Sequence, residues 1–234
     1  MRLIIYTLTI FIFTVTVIAQ KKTDLEAAMN RAEKANTMLK TFFALGSDSI
    51  PFQVFQKAKA VAVFNDVTYF NLLLSKMTKG KGLLSVRNGE NWCVPTFAEF
   101  FSSGFEFKIA DKKKFDIVFF IMDDKLIELL KNDGIESKFV SDKRIKLGPI
   151  VKGTGADLVL ENAWLIYYPF QDGKLSGLEF QSNFFNEFRI GHDNNLNKKI
   201  YQKKAQLIIS DKLNDLTVPD QINNFRQTII SGLK

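Results

Sequence analysis

The side chains best able to do chemistry are few and isolated. The single histidine, His192, lies in the polar stretch Gly191-His192-Asp193-Asn194, and the single cysteine, Cys93, sits between Trp92 and Val94. One imidazole cannot form a histidine cluster around zinc, and any Ser-His-Asp arrangement would have to run through it. Its expected place is an exposed loop. Cys93, in mid-hairpin, reads as a packed thiol and not an activated nucleophile. Asp123-Asp124 reads as a helix start, where acids suit the helix dipole. No acidic run reaches the calcium-loop pattern. Lys79-Gly80-Lys81-Gly82 lacks the strand, loop and helix order of a phosphate-binding loop and reads as a flexible basic turn. Gly153-Thr154-Gly155 has almost no specificity for nucleotides. The residues therefore assign no catalytic group, no metal ligand and no cofactor, and the expected class is non-enzymatic.

The basic residues point elsewhere. Lys57, Lys59, Lys76, Lys79, Lys81, Lys112 to Lys114, Lys143, Arg144 and Lys198 to Lys204 recur at expected turns and helix ends, within a formal charge of +7. Scattered lysines default to a solvated face. Loops from successive hairpins can converge on one rim, however, and each lysine near an anionic bilayer is worth about 1 kcal/mol. No nucleic-acid motif appears, so nucleic acid is not an expected partner.

Composition and the N-terminus set the frame. With 234 residues, 46% hydrophobic, and 23 Phe, the chain can bury one substantial core. Met1-Arg2, the apolar run Leu3 to Ile18, and Val17 with Ala19 before Gln20-Lys21-Lys22 fit a signal peptide over residues 1–19, shorter than the ~20 residues a membrane span prefers. The expectation is an exported protein, periplasmic or secreted and membrane-associated, with residues 20–234 forming a single domain.

Thr23 to Leu45 shows a capping box, Thr23 with Glu26. Leu25, Ala28, Met29, Ala32, Leu39, Phe42 and Phe43 make an apolar stripe expected to dock on the domain. Ile50-Pro51 opens a short helix, and Ala60 to Phe64 reads as strand. Asn88-Gly89 predicts a two-residue hairpin loop with Arg87 facing Glu90. After a break at Ser102 to Gly104, Phe105, Phe107 and Ile109 alternate with polar residues. Phe115 to Met122 is apolar on both faces, the mark of a central strand covered on both sides. A helix from Asp123-Asp124 to Asn132-Asp133-Gly134 follows. Trp164 to Phe170 turns at Asp172-Gly173 into Leu178 and Phe180, with Pro169 at a strand end or edge. A lysine-rich helix begins at Asn194 or Asn195, and Val218-Pro219 opens the last helix. Terminal helices around antiparallel hairpins predict an α+β fold: a curved sheet, partly closed towards a barrel at most.

The order of these segments carries a resemblance. Ile50-Pro51 before AKA-V-AVF, glycine-lysine into GLLSVRNGENWCVP, Ser-Gly-Phe-Glu-Phe-Lys, FDIVFFIMD, Leu147-Gly148-Pro149 and a Tyr-rich strand leading to Leu178-Glu179-Phe180 together resemble the SYLF lipid-binding domain family, over about Ala27 to Lys204. Members are non-enzymatic and bind phosphoinositide-type and other anionic lipids, and bacterial members are exported envelope proteins. The resemblance departs at the family's glycine-rich run, where Phe97, Glu99, Phe100 and Phe101 stand and only Gly104 is kept. It implies a lipid-facing amphipathic N-terminal helix with basic neighbours, falling here on Lys21, Lys22, Arg31, Lys34 and Lys40. With the basic turns Lys79, Lys81, Lys112, Lys113 and Lys114, these make up the expected lipid-binding set. The expected function is binding of acidic phospholipid headgroups at a membrane or envelope surface. The alternative is an envelope protein-interaction or structural component that binds no lipid.

Overall fold

The computed structural model describes residues 24–44, 52–136, 138, 144–147, 162–175, 187–210 and 216–232, with side chains for all of these except 52, 53, 72–74, 105–113, 146 and 147. The expected signal peptide and the strand bearing Leu178 and Phe180 lie outside the described residues.

Helix α1 covers residues 24–44, and α2 is Phe52–Lys57. Two very long strands follow, β1 (Ala60–Asn88) and β3 (Thr96–Ile121), joined through the short β2 (Asn91–Trp92). Next come α3 (Asp124–Asn132), β4 (Gly134–Glu136), β5 (Ile145–Leu147), β6 (Leu165–Gln171), β7 (Lys174–Leu175) and β8 (Glu187–His192). Helices α4 (Asn194–Tyr201), α5 (Ala205–Ile209) and α6 (Asp220–Ser231) close the described chain. The architecture is α+β, a large, mainly antiparallel sheet that does not close into a barrel, with helices at both ends of the chain. The exception to antiparallel order is β5, which runs parallel to β6.

At roughly 3.3 Å per residue, the 29 residues of β1 would reach on the order of 95 Å if straight, far more than a domain of this size can hold. The β1–β3 ribbon bends instead. Its register shifts at Phe64/Val67, Asn71/Leu73 and Leu73/Ser75, where bulges kink a strand and increase its twist. The bend brings the far end of β1 back onto its start: Arg87 N donates to Lys59 O at 2.7 Å. Gly82 lies so close to Val63 that an added Cβ would sit 1.8 Å from the Val63 carbonyl oxygen. This crossing corrects the expected turn at Lys79-Gly80-Lys81-Gly82. The segment is mid-strand, and its glycines serve close backbone approach. Ser102 to Gly104, expected as a break, is likewise continuous strand.

The hairpin at the far end is displaced by one residue from expectation. Asn88 pairs with Asn91 and Arg87 with Trp92, so Gly89-Glu90 form the loop. Gly89 has φ +60° while Glu90 is not in the positive-φ region, which suits a loop with glycine first. Arg87 faces Trp92 across the ladder, its guanidinium 4.9 Å from the indole. The second hairpin forms at Asp172-Gly173 as expected, both residues having positive φ. Pro169 is not at a strand end: it lies within β6 opposite Ile117 of β3, and on the other side of β6 it falls in the gap between the stretches paired to β5 and β7, where no ladder donor is needed.

Residues 117–121 of β3 pair with β1 on one side and β6 on the other, the central position their apolar character predicts. Alternate residues feed two cores. Val61, Val63, Val118, Phe120, Ile166 and Tyr168 pack under Ala32, Ala35, Leu39 and Phe42 of α1 and Ile222, Phe225 and Ile229 of α6. Phe42 anchors this layer, with ring centroids 5.1 Å from both Phe120 and Tyr168. Ala62, Phe64, Ile117, Phe119 and Tyr167 face the second core, with Leu126 and Leu130 of α3, Ile209 of α5, and Phe188 and Ile190 of β8. The stripe of α1 is thus docked; of its expected members, only Leu25 is exposed. Asp123 caps α3 by accepting from Lys125 N at 2.8 Å, and Asp124 pairs with Lys59, so the acidic pair is structural.

Candidate anion-binding cleft

The fold-back of β1 creates a cleft of about 620 Å³ between α1 and two separate parts of the ribbon. Helix α1 supplies Ala27, Asn30, Arg31 and Lys34; the start of β1 supplies Asn65, Asp66 and Thr68; its far part supplies Lys79, Gly80 and Lys81; and β3 supplies Glu99, Phe100 and Phe101. The walls can meet because Gly80 has no side chain: an added Cβ would lie 2.7 Å from Val67 Cγ2. Met77, Lys79 and Lys81 share a face of β1 by the period of two.

The near wall is shaped by a bulge. Asn65 and Asp66 together stand opposite Asp116, because Phe64 pairs with Ile117 and Val67 with Phe115. Asp66 adopts φ +52°, a left-handed conformation that Asp tolerates better than most residues. Its backbone N–H is taken by Asp116 Oδ1 at 2.8 Å. Burial pushes the Asp116 carboxyl above the usual aspartate range, opposed by hydrogen bonds from the Asp66 backbone and the Asn65 side chain.

Four cations meet three carboxylates here. Lys34 Nζ contacts Asp66 at 2.6 Å, Lys81 Nζ contacts Glu99 at 3.0 Å and Asp193 at 3.5 Å, and Arg31 reaches Asp193 at 3.8 Å. Burial pulls the Arg31 pKa below its ordinary value, with Asp193 and Glu99 acting against that shift. Lys79 has no carboxylate partner among the described residues; its ammonium lies 5.6 Å from the Phe70 ring centroid. Lys34, Asp66, Lys81 and Glu99 are each about half exposed, so these pairs are weak, at about 0–1 kcal/mol, and exchangeable. Phe101, 41% exposed, gives the rim an apolar edge.

Asp193 is delivered by α4, which it caps by accepting from Leu196 N at 3.0 Å. The helix is fixed to β3 by the buried Asn197, whose Oδ1 accepts from Phe97 N and whose Nδ2 donates to Phe97 O, both at 2.8 Å. Tyr201 OH donates to Pro95 O at 2.6 Å.

Of the expected set, the cleft gathers Arg31, Lys34, Lys79 and Lys81. Lys40 is exposed on α1 but does not line it. Lys114 is exposed opposite Thr68, beside the cleft. Lys112 and Lys113 pair in the backbone with Phe70 and Tyr69, and their side chains lie outside the described residues, as do Lys21 and Lys22 entirely. Sequence reasoning did not place Asp66, Glu99, Asp193 or Phe101 in the site: Glu99 and Phe101 stood out only as departures from the family's glycine-rich run, and the Asn65-Asp66 pair interrupting an apolar run was the signal for the bulge. His192 is also corrected. It ends β8 instead of occupying an exposed loop, with Nε2 2.6 Å from Leu130 O and a buried Nδ1. Burial holds its pKa below the ordinary value, aided by Arg189 and opposed by the Leu130 hydrogen bond and Asp133. Cys93 is buried, its sulfur 3.5 Å from Ile209 O. Among the described residues, no group of three or more His, Cys, Asp or Glu could hold a metal ion. Comparison with protein-family models, with curated proteins and with solved structures returns no match.

Proposed function

We propose that this protein binds the headgroups of anionic lipids without transforming them, at a membrane or envelope surface. The observation that carries the reading is the cleft itself: Arg31 and Lys34 of α1 and Lys79 and Lys81 of β1 open on one concavity with Phe101 at its rim. Among the described residues no carboxylate pairs with Lys79, and the half-exposed ion pairs beside it can exchange a carboxylate for a phosphate at small cost. The resemblance to the SYLF family, which rests on the order of the segments, supports the same ligand class. Glu99, Phe100 and Phe101, where the chain departs from that family's glycine-rich run, line the cleft, so its headgroup preference is expected to be its own. Among the described residues no helix is long and apolar enough to cross a membrane, and the contact proposed is with the surface.

Vesicle co-sedimentation tests the proposal. The protein should pellet with vesicles containing anionic lipid, remain in solution with neutral ones, and be released by salt; equal recovery in the supernatant under all conditions rejects it. Lys79→Glu should weaken the interaction at least ten-fold, since it replaces that cation by a like charge facing the headgroup.

A further inference from the structure

A second cationic surface lies at the other end of α4. Gln202 ends that helix with φ +57°, turning the chain so that Lys203 and Lys204 follow directly on its C-terminus. They border a cleft of about 920 Å³ together with Lys198 of α4 and Lys131 of α3. The scaffold is fixed: Gln206 Nε2 donates to Asn132 O, and Ala205 N donates to Asn194 Oδ1, each at 2.8 Å. Ala205, Ile208 and Ile209 of α5 are buried, which leaves Leu207 pointing outwards at 47% exposure, beside the lysines.

The charge balance differs from that of the first cleft. Lys131 pairs with Glu128, and Asp133 lines the wall, but Lys198, Lys203 and Lys204 have no carboxylate partner among the described residues. A smaller cavity of about 260 Å³ shares Lys131 and adds Arg87, also without a carboxylate partner there and with an unbonded Nε. Lysines at a helix C-terminus complement its dipole, which accounts for Lys198 but not for an exposed leucine beside two further lysines, Lys203 and Lys204, past the helix end, all three lysines being without a carboxylate partner among the described residues. Cations surrounding one outward apolar side chain match an anionic bilayer, whose phosphates take the charges while the leucine enters the interfacial layer.

We infer that the α4–α5 corner, with Lys198, Lys203, Lys204 and Leu207, docks the protein on an anionic bilayer as a second contact separate from the headgroup cleft. This rests on the lipid reading above. The test uses the full chain with phosphatidylcholine vesicles with and without phosphatidylglycerol, the neutral arm accounting for any pull of the apolar N-terminal residues. Lys198→Gln, Lys203→Gln and Lys204→Gln combined should cost about five-fold per lysine, on the order of 100-fold in partitioning. Leu207→Ser alone should cost a few-fold. A control removing three exposed lysines elsewhere, at Lys57, Lys125 and Lys174, should cost far less. Circular dichroism and thermal melts of each variant check that it folds. If the triple variant pellets like the wild type while Lys79→Glu does not, or if the control loses as much as the triple variant, the inference is overturned and the lipid reading stands. If the wild type itself ignores anionic vesicles, both are overturned.

Discussion

The carboxylate of Asp116 holds the backbone N–H of Asp66 at 2.8 Å across the β1–β3 ladder, and Asp66 in turn meets Lys34 of α1 at 2.6 Å. One side chain on the central strand thus sets the bulge that joins the first helix to the cleft. The bond also explains how a residue at φ +52° persists within a strand: its otherwise unpaired donor is satisfied in place.

Replacing Asp116 by Ala leaves the Asp66 N–H without that acceptor and should cost about 1–3 kcal/mol in urea unfolding. Asp116→Asn retains a side-chain oxygen and should cost about half as much or less. A full loss with Asn would show that the charge matters and not the acceptor.

Gly82 and Gly89 separate two reasons for glycine. A methyl on Gly82 collides with the Val63 carbonyl, so Gly82→Ala should destabilise by about 3 kcal/mol or more, or prevent folding. A methyl on Gly89 meets nothing within 4 Å, but φ is +60°, and Gly89→Ala should cost only about 1 kcal/mol. Unfolding midpoints of the two variants, measured side by side, check the order.

This contrast also marks what could be read from the residues. The two-faced apolar run at Phe115 to Met122, the stripe on α1 and the Asp123 cap were legible because each is local: period, capping and burial act within a few residues. The crossing of Gly82 over Val63 was not, since it joins residues far apart in the chain, and a Lys-Gly-Lys-Gly run looks the same in a turn and in a bent strand. His192 looked exposed for the same reason, because the α3 terminus that covers it comes from 62 residues away. The hairpin slip turns on which residue takes the positive φ, and both Asn88 and Gly89 can. Four cationic members of the cleft were legible by type, while their carboxylate partners depend on the bulge and on where α4 docks.

Asn197 should prove the main fastening of α4. Asn197→Ala leaves the Phe97 N–H without its side-chain acceptor, although Phe97 O still accepts from Asp193 N at 3.0 Å. The expected loss is about 1–3 kcal/mol. Hydrogen exchange should show faster opening of α4 than of β3, since the helix loses both side-chain bonds to Phe97 and keeps only that from Asp193 N, while the strand keeps its ladder. Tyr201→Phe, which removes one bond to Pro95 O, should cost about 1 kcal/mol.

His192 makes stability depend on pH in a defined direction. Its folded pKa lies below the ordinary 6.5, chiefly through burial, so the unfolded chain binds the proton more readily. Its contribution is therefore complete above about pH 6.5 and is lost as pH falls through the folded value. Denaturant midpoints measured from pH 7.5 down to 5 should decline in the wild type. In His192→Gln the decline should be shallower; an equal slope would assign it to other groups.

Glu99 and Lys79 set opposite limits on the cleft. Glu99 contacts Lys81 at 3.0 Å and is about half exposed, so its charge competes with any incoming anion for that ammonium. Glu99→Gln keeps the shape and removes the competitor, although Asp193 still contacts Lys81 at 3.5 Å. An exposed pair of this kind is worth at most about 1 kcal/mol, so partitioning to anionic vesicles should rise about two- to five-fold, with stability changed by less than ~1 kcal/mol. The gain should fade at high salt, where screening weakens both the pair and the headgroup contact. If Glu99→Gln weakens vesicle binding, the carboxylate orients Lys81 for the headgroup instead of competing with it. If it changes nothing, Lys81 takes no part and the headgroup is held by Arg31, Lys34 and Lys79.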